Sequence, residues 1–417
     1  MKQTLHCTLF LMLLSILNMK AQQDIDLSMG ASYANQVYFK LSNLTTTSYP
    51  GSVWDLAFLR TGQDDIGIRI NDHAGIKVYE VTTNTNAWDD IPVTTEAQSE
   101  WTQLYNSETT WTGAFDNGSA TYGFGEYNPD NQHIEGSVIF VLKYADGTYR
   151  KFLNQDAFNG YTFKYATWNT STNAWGEDTT VTLENTNNPN NTYNFYSLET
   201  GEEVYAQPAT TDWDFVATKY ISDYNGNGSL FWPVTGVLHN DQVTVAQNEE
   251  MEGATENPTL TYSDEINTIG SDWKTYVSSV EYDVNSDMAY YVKYADNSVY
   301  RIYFTAFEGS STGNLSFAFE NVTQSLGVEE LDNNVTFGVY PNPSSDGKIN
   351  LIYDVAKSGT NHLTIYSMQG SKILETSLSS QQGFYNKTLD LSHLQKGVYM
   401  LNFTSGDYTI SKKVILK

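Results

Sequence analysis

The residues whose types and spacing come nearest to a ligating pattern are Asp223, Asn225 and Asn227, within Asp223-Tyr224-Asn225-Gly226-Asn227-Gly228. Side-chain oxygens at alternate positions ahead of a glycine open a calcium loop, because a hard cation gathers oxygen ligands on a tight turn. Position twelve of such a loop is Val234, which has no carboxylate to close the shell. A polar Asn/Gly turn between strands therefore competes with calcium. Catalytic chemistry has weaker markers: there is no His-Glu-x-x-His and no phosphate-cradling glycine loop. Paired carboxylates for glycoside hydrolysis have to be located among 49 acids, and nothing in the sequence singles out a pair.

The single cysteine, Cys7, falls in an N-terminal segment with Lys2 ahead of a mostly apolar run from Leu5 to Leu17 and a cleavage edge at Ala21. This has the order of a secretory signal peptide, residues 1–21, and Cys7 is too early to be a lipoprotein cysteine. The mature chain then has no thiol, no disulfide and no cysteine-based metal site. No later segment offers the ~20 apolar residues of a membrane-spanning helix. The whole chain carries a formal charge of −27; residues 1–21 and 338–417 are net positive by two and three, which leaves −32 for residues 22–337. Such a surface repels phosphate backbones and argues against nucleic-acid binding.

These residues need elements to position them, and the composition, rich in Thr, Asn, Ser and Tyr, predicts an all-β chain. One module occurs twice. Val37-Tyr38-Phe39-Lys40-Leu41, Trp54-Asp55-Leu56-Ala57-Phe58 and Lys143-Tyr144-Ala145-Asp146-Gly147 recur in order as Asn194-Phe195-Tyr196-Ser197-Leu198, Trp213-Asp214-Phe215-Val216 and Lys293-Tyr294-Ala295-Asp296-Asn297. Asp-Gly and Asp-Asn between alternating stretches predict a hairpin in each copy. Third strands are expected at 161–165 and 315–319, and an opening strand for the second copy at 179–183. The Asn/Thr-rich stretch 169–191 reads as the boundary, giving domains at 24–172 and 176–325, a linker at 326–336 and a last domain at 337–417. Each Trp-Asp pair reads as a core tryptophan beside a turn aspartate.

The last domain contains Val339-Tyr340-Pro341-Asn342-Pro343, Leu363-Thr364-Ile365-Tyr366, Leu389-Asp390-Leu391-Ser392, Gly397-Val398-Tyr399-Met400 and a closing Lys412-Lys413-Val414-Ile415-Leu416-Lys417. This succession closely resembles the type A C-terminal sorting domain of the type IX secretion system of Bacteroidota. The resemblance implies a small β-sandwich, recognition by the outer-membrane translocon, and a protein secreted or held on the external face of the outer membrane.

The repeated module is similar to the HmuY family through Val37-Tyr38-Phe39, Trp54-Asp55-Leu56, Tyr127-Asn128-Pro129, Thr180-Val181-Thr182-Leu183, Trp213-Asp214 and the two Lys-Tyr-Ala-Asp hairpins. That family binds haem on an all-β fold with axial His or Met side chains from loops. With no cysteine in the mature chain, neutral imidazole and thioether are the ligands to consider, and the candidates are His73, His133, His239, Met251 and Met288. His133 and Met288 stand at similar places before the Lys-Tyr-Ala-Asp strands; a packing or surface role competes for each. The leading expectation is capture of haem or a haemoprotein without catalysis. The alternative is an adhesive or glycan-binding surface protein, because exposed Tyr and Trp can stack on sugars.

Overall fold

The computed structural model describes residues 23–61, 66–250, 258–278, 281–323, 335–355, 360–368, 370–379, 381, 383–405 and 408–417. The signal segment and most of the expected linker lie outside the described residues. The chain forms two compact units that divide at Leu326 and Gly327. Both are all-β.

In the larger unit the predicted hairpins form. Ile139–Lys143 pairs antiparallel with Tyr149–Ala157, and Met288–Tyr294 pairs with Val299–Phe307. The turns are alike: Asp146 Oδ1 accepts the Thr148 N–H at 2.8 Å and Asp296 Oδ1 accepts the Ser298 N–H at 2.9 Å. Gly147 (φ 89°) and Asn297 (φ 65°) take the left-handed position, which glycine and asparagine tolerate best. The third strands run Gly160–Asn169 and Asn314–Asn321.

These strands are covered on both faces, which is why Val138 to Leu142 reads as a continuous apolar run rather than an alternating one. Phe140, Leu142, Phe152 and Phe163 face one core; Ile139, Val141 and Leu153 face a second layer with Trp88 and Ile91. The second copy repeats the division, with Tyr290, Val292, Ile302 and Phe304 on one side and Ala289, Tyr291 and Val299 on the other. Burying each such large side chain stabilises the fold by about 1.5–3 kcal/mol.

The duplication is matched in the main strands of both sheets. In the first copy a sheet runs in the order 179–184, 160–169, 149–157, 139–143, 77–82, and a second sheet runs 202–204, 193–197, 56–59, 68–70. In the other copy the orders are 23–28, 314–321, 299–307, 288–294, 243–249 and 45–50, 35–40, 215–223, 231–239. The strands therefore do not sort by sequence half. A division near residue 175 separates Gly160–Asn169 from Thr179–Glu184, which share a sheet. Conversely, the N-terminal strand Gln23–Ser28 pairs along its length with Asn314–Asn321, from Gln23 opposite Phe319 to Ser28 opposite Asn314. The first three strands of the chain complete the last module, and residues 179–204 complete the first.

The Trp-Asp pairs hold these exchanged strands. Trp54 and Trp213 are buried. Asp55 accepts the Leu198 N–H at 2.5 Å, and Asp214 accepts the equivalent Leu41 N–H at 2.7 Å. Asp214 also accepts from Tyr294 Oη and pairs with Lys40 Nζ at 2.7 Å. Burial pushes the Asp55 carboxyl upward, against the Leu198 N–H and the charge of Arg150.

The smaller unit is a β-sandwich. One sheet joins Val335–Tyr340, Lys348–Val355 and Gly383–Asp390; the other joins Lys372–Ser377, Asn361–Ser367, Gly397–Ser405 and Tyr408–Leu416. Ile349, Leu351, Leu363, Ile365, Leu401 and Phe403 fill its core.

Candidate functional site

The four described residues expected as haem ligands, His73, His133, His239 and Met288, are not brought together. His73 is buried in the larger unit, with Nε2 2.6 Å from the Tyr33 carbonyl and Nδ1 facing Thr218 Oγ1 at 3.1 Å and the Lys219 N–H at 3.2 Å. Burial lowers its pKa to about 4, so the ring is neutral, donating from Nε2 and accepting at Nδ1, with no lone pair left for iron. His239 is fully buried, and both ring nitrogens face carbonyls, of Asn240 at 2.8 Å and Glu265 at 2.7 Å. His133 binds Asp156 Oδ1 through Nδ1 at 2.7 Å and stacks on Phe158. Met288 opens the strand that leads directly into Lys293-Tyr294 and packs against the other core. The corresponding place in the first copy is Val138, because His133 belongs to a separate strand, His133–Gly136. Met251 lies outside the described residues.

Asp223, Asn225 and Asn227 close a hairpin turn on themselves. Asp223 Oδ2 accepts the Gly228 N–H, Asn225 donates to Ser229 Oγ, and Asn227 Oδ1 accepts the Ser229 N–H. Among the described residues no group of three or more His, Cys, Asp or Glu is placed to hold a metal. Gly309-Ser310-Ser311-Thr312-Gly313 has the Gly-x-Ser-x-Gly spacing of a hydrolase nucleophile. It forms a short turn between two antiparallel strands, with Ser311 Oγ donating to the Glu308 carbonyl, and lacks the strand-to-helix elbow that activates such a serine.

A concave, open and aromatic surface lies elsewhere, on the outer layer of the first module. Trp168, near the end of Gly160–Asn169, stands opposite Trp175 across a turn, with ring centroids 5.1 Å apart and planes at 71°. Trp175 is anchored by its Nε1–H to the Ile91 carbonyl at 2.7 Å, and Trp88 by its Nε1–H to both oxygens of Asp178. Below them Lys151, 1 % exposed, donates to the Trp88 carbonyl at 2.7 Å, and its ammonium lies over the Trp88 ring at 4.2 Å and near Trp175 at 5.3 Å. Burial lowers the Lys151 pKa, while Asp178 and Asp89 oppose that shift. The groove measures about 790 Å³, and Asp89, Asp90, Thr94 and Asn173 line it beside the two tryptophans. Rigid aromatic surface with neighbouring carboxylate, amide and hydroxyl groups is suited to a ligand that is apolar on its faces and hydroxylated at its edges.

The sequence does signal this pair: Trp168 and Trp175 bracket Asn169-Thr170-Ser171-Thr172-Asn173-Ala174, a polar turn between two large aromatics. The reading of 169–191 as an inter-domain stretch hid it.

Residues 338–417 match the family described as secretion system C-terminal sorting domain. This segment is a sorting domain of that family. The match begins one residue after the expected boundary, and it marks the protein for type IX secretion, to the medium or the cell surface, through the machinery that reads such domains. No helix among the described residues is long and apolar enough to cross a membrane. No curated protein matches the chain. Among solved structures it is similar to a biofilm associated protein, BSP domain, at 8% identity over 87% of this chain and 81% of the other, with a TM-score of 0.17. A GH31 alpha-xylosidase from Xanthomonas citri is similar at 8% identity over 67% of this chain and 32% of the other, with a TM-score of 0.09.

Proposed function

We propose that the larger unit is the binding part of an exported surface protein and that it holds glycans, without catalysis, in the Trp168–Trp175 groove. The observation that carries this reading is the pair of half-buried tryptophans fixed at the wall of an open groove that sets hydrogen-bonding groups, Asp89, Asp90, Thr94 and Asn173, beside the apolar Ile91, Pro92, Val93 and Ala174. Hexose rings present C–H faces that pack on indoles and hydroxyls that pair with Asp, Asn and Thr. The lysine below is held by a carbonyl and two rings, so its role is to orient Trp88 and Trp175 rather than to attract an anion. The strong negative charge of residues 22–337 and the exposed Asp89 on the rim disfavour acidic polysaccharides, leaving neutral glycans as the ligand class.

Haem capture has no comparable support, because the described His and Met candidates occupy separate places, and His73 and His239 direct both ring nitrogens at protein groups. The glycan reading is tested by titrating the exported protein with neutral hexa-oligosaccharides of glucose, mannose and galactose and following tryptophan fluorescence. A saturable change that Trp168→Ala abolishes is expected. Saturation unaffected by Trp168→Ala places the ligand outside the groove and overturns this assignment.

A further inference from the structure

The second module carries its own candidate surface. Its long hairpin pairs Phe215–Asp223 with Phe231–His239, and Ser222 lies opposite Trp232 in that register. Cross-strand partners project to the same face with Cβ atoms about 4.5–5.5 Å apart. Trp232 is 58 % exposed, an unusual position for so large an apolar side chain. Ser222 lines a cavity of about 460 Å³ between this hairpin and the segment 261–272. A cavity of that size lies within the range of small-ligand sites.

Its lining is mostly polar and contains neither Lys nor Arg; Gln247, Thr261, Glu265, Asn267, Ser271 and Asp272 supply donors and acceptors beside the Tyr220 ring. Tyr220 at its wall has its hydroxyl held in the neutral state, its pKa pushed well above the ordinary value by burial. A cavity without a cation gives an anion no counter-charge, and one with a mostly polar lining gives a hydrophobic ligand little burial. An uncharged polyhydroxylated ring suits both conditions, and Trp232, outside the cavity's lining but opposite Ser222 on the same face of the hairpin, offers an exposed indole for it to stack on.

We infer that this cavity with Trp232 is a second binding site for a neutral glycan, so that the two modules bind independently and the protein is bivalent. This inference rests on the glycan reading above for its ligand class but not for its residues. Two sites on one chain convert the second contact with a polymer into an intramolecular event, which raises retention on a polysaccharide surface without any new contact.

The test is isothermal titration of the exported protein with the same three hexa-oligosaccharides. The inference expects two equivalents bound by the unaltered protein, one by Trp232→Ala and one by Trp168→Ala, with Asp272→Asn weakening the second site about tenfold, or about 1.4 kcal/mol. Trp232 is exposed and Asp272→Asn is isosteric, and circular dichroism verifies that both variants are folded. One equivalent that is lost on Trp168→Ala and unchanged on Trp232→Ala overturns the second site while leaving the first. One equivalent lost only on Trp232→Ala supports the second site and sinks the first. No heat with any of the three sugars overturns both.

Discussion

Lys40 and Asp214, 174 positions apart, form a 2.7 Å ion pair in which the carboxylate is fully buried and the lysine nearly so. The pair ties the second strand of the chain to the Trp-Asp corner of the last module. Asp214 also collects the Leu41 N–H and the Tyr294 hydroxyl, so removing it strands several polar groups at once. Asp214→Ala is expected to cost about 3–5 kcal/mol, because Lys40 is left as an uncompensated charge in a largely buried place. Urea denaturation of the purified protein measures this through the midpoint at constant slope. A loss below ~1 kcal/mol would mean the clasp is dispensable.

The exchange of leading strands makes a second prediction. Leu27, 2 % exposed on Gln23–Ser28, packs in the core formed by the last module rather than with the first. Leu27→Ala is expected to destabilise by about 2–5 kcal/mol. Hydrogen exchange should show the loss of protection in 288–321 and little change in 139–165. Loss confined to 139–165 would contradict the pairing.

The pH dependence follows from His73. Its folded pKa, about 4, lies below the ordinary 6.5 because burial penalises the charged ring. Its contribution to stability is therefore fully present above pH 6.5 and is lost as pH falls from there through about 4. Asp72 and Asp116, both raised to about 6 by burial, run the other way: their contribution is present below about 3.8 and is lost as pH rises through 6. The comparison that isolates His73 is His73→Gln against the unaltered chain. The stability gained between pH 4 and pH 7 should be smaller in the variant by on the order of 3 kcal/mol. Parallel profiles would show that His73 is not held neutral.

Removal of residues 338–417, which have their own core, should leave the larger unit folded but confined to the periplasm. Cell fractionation with an antibody to the larger unit reads this directly. Export at the normal level without the tail would contradict the sorting role.

Alternation and turn residues made the two Lys-Tyr-Ala-Asp hairpins, the third strands and the C-terminal sandwich legible. They could not decide which module the leading strands complete. Period-two patterning assigns a side chain to a face, not a strand to a neighbour, and duplication leaves two nearly identical edges for the strands 23–28 and 179–184 to choose between. The site was less legible. His73 and His239 have the right chemistry for metal ligation, but backbone groups and the Thr218 hydroxyl, which no motif records, occupy their nitrogens. Asp223, Asn225 and Asn227 have calcium-loop spacing, and the same spacing closes a hairpin turn.

The most direct test of the central claim is fluorescence titration of the mature protein with neutral hexa-oligosaccharides, run beside Trp168→Ala and beside haemin in oxidised and reduced states. The account predicts a saturable response to at least one sugar, its first-module component lost in Trp168→Ala, and no haemin spectrum beyond that of a nonspecific control protein. A sugar-insensitive protein that gives a saturable Soret shift with low-spin bands would contradict it and return haem capture to first place.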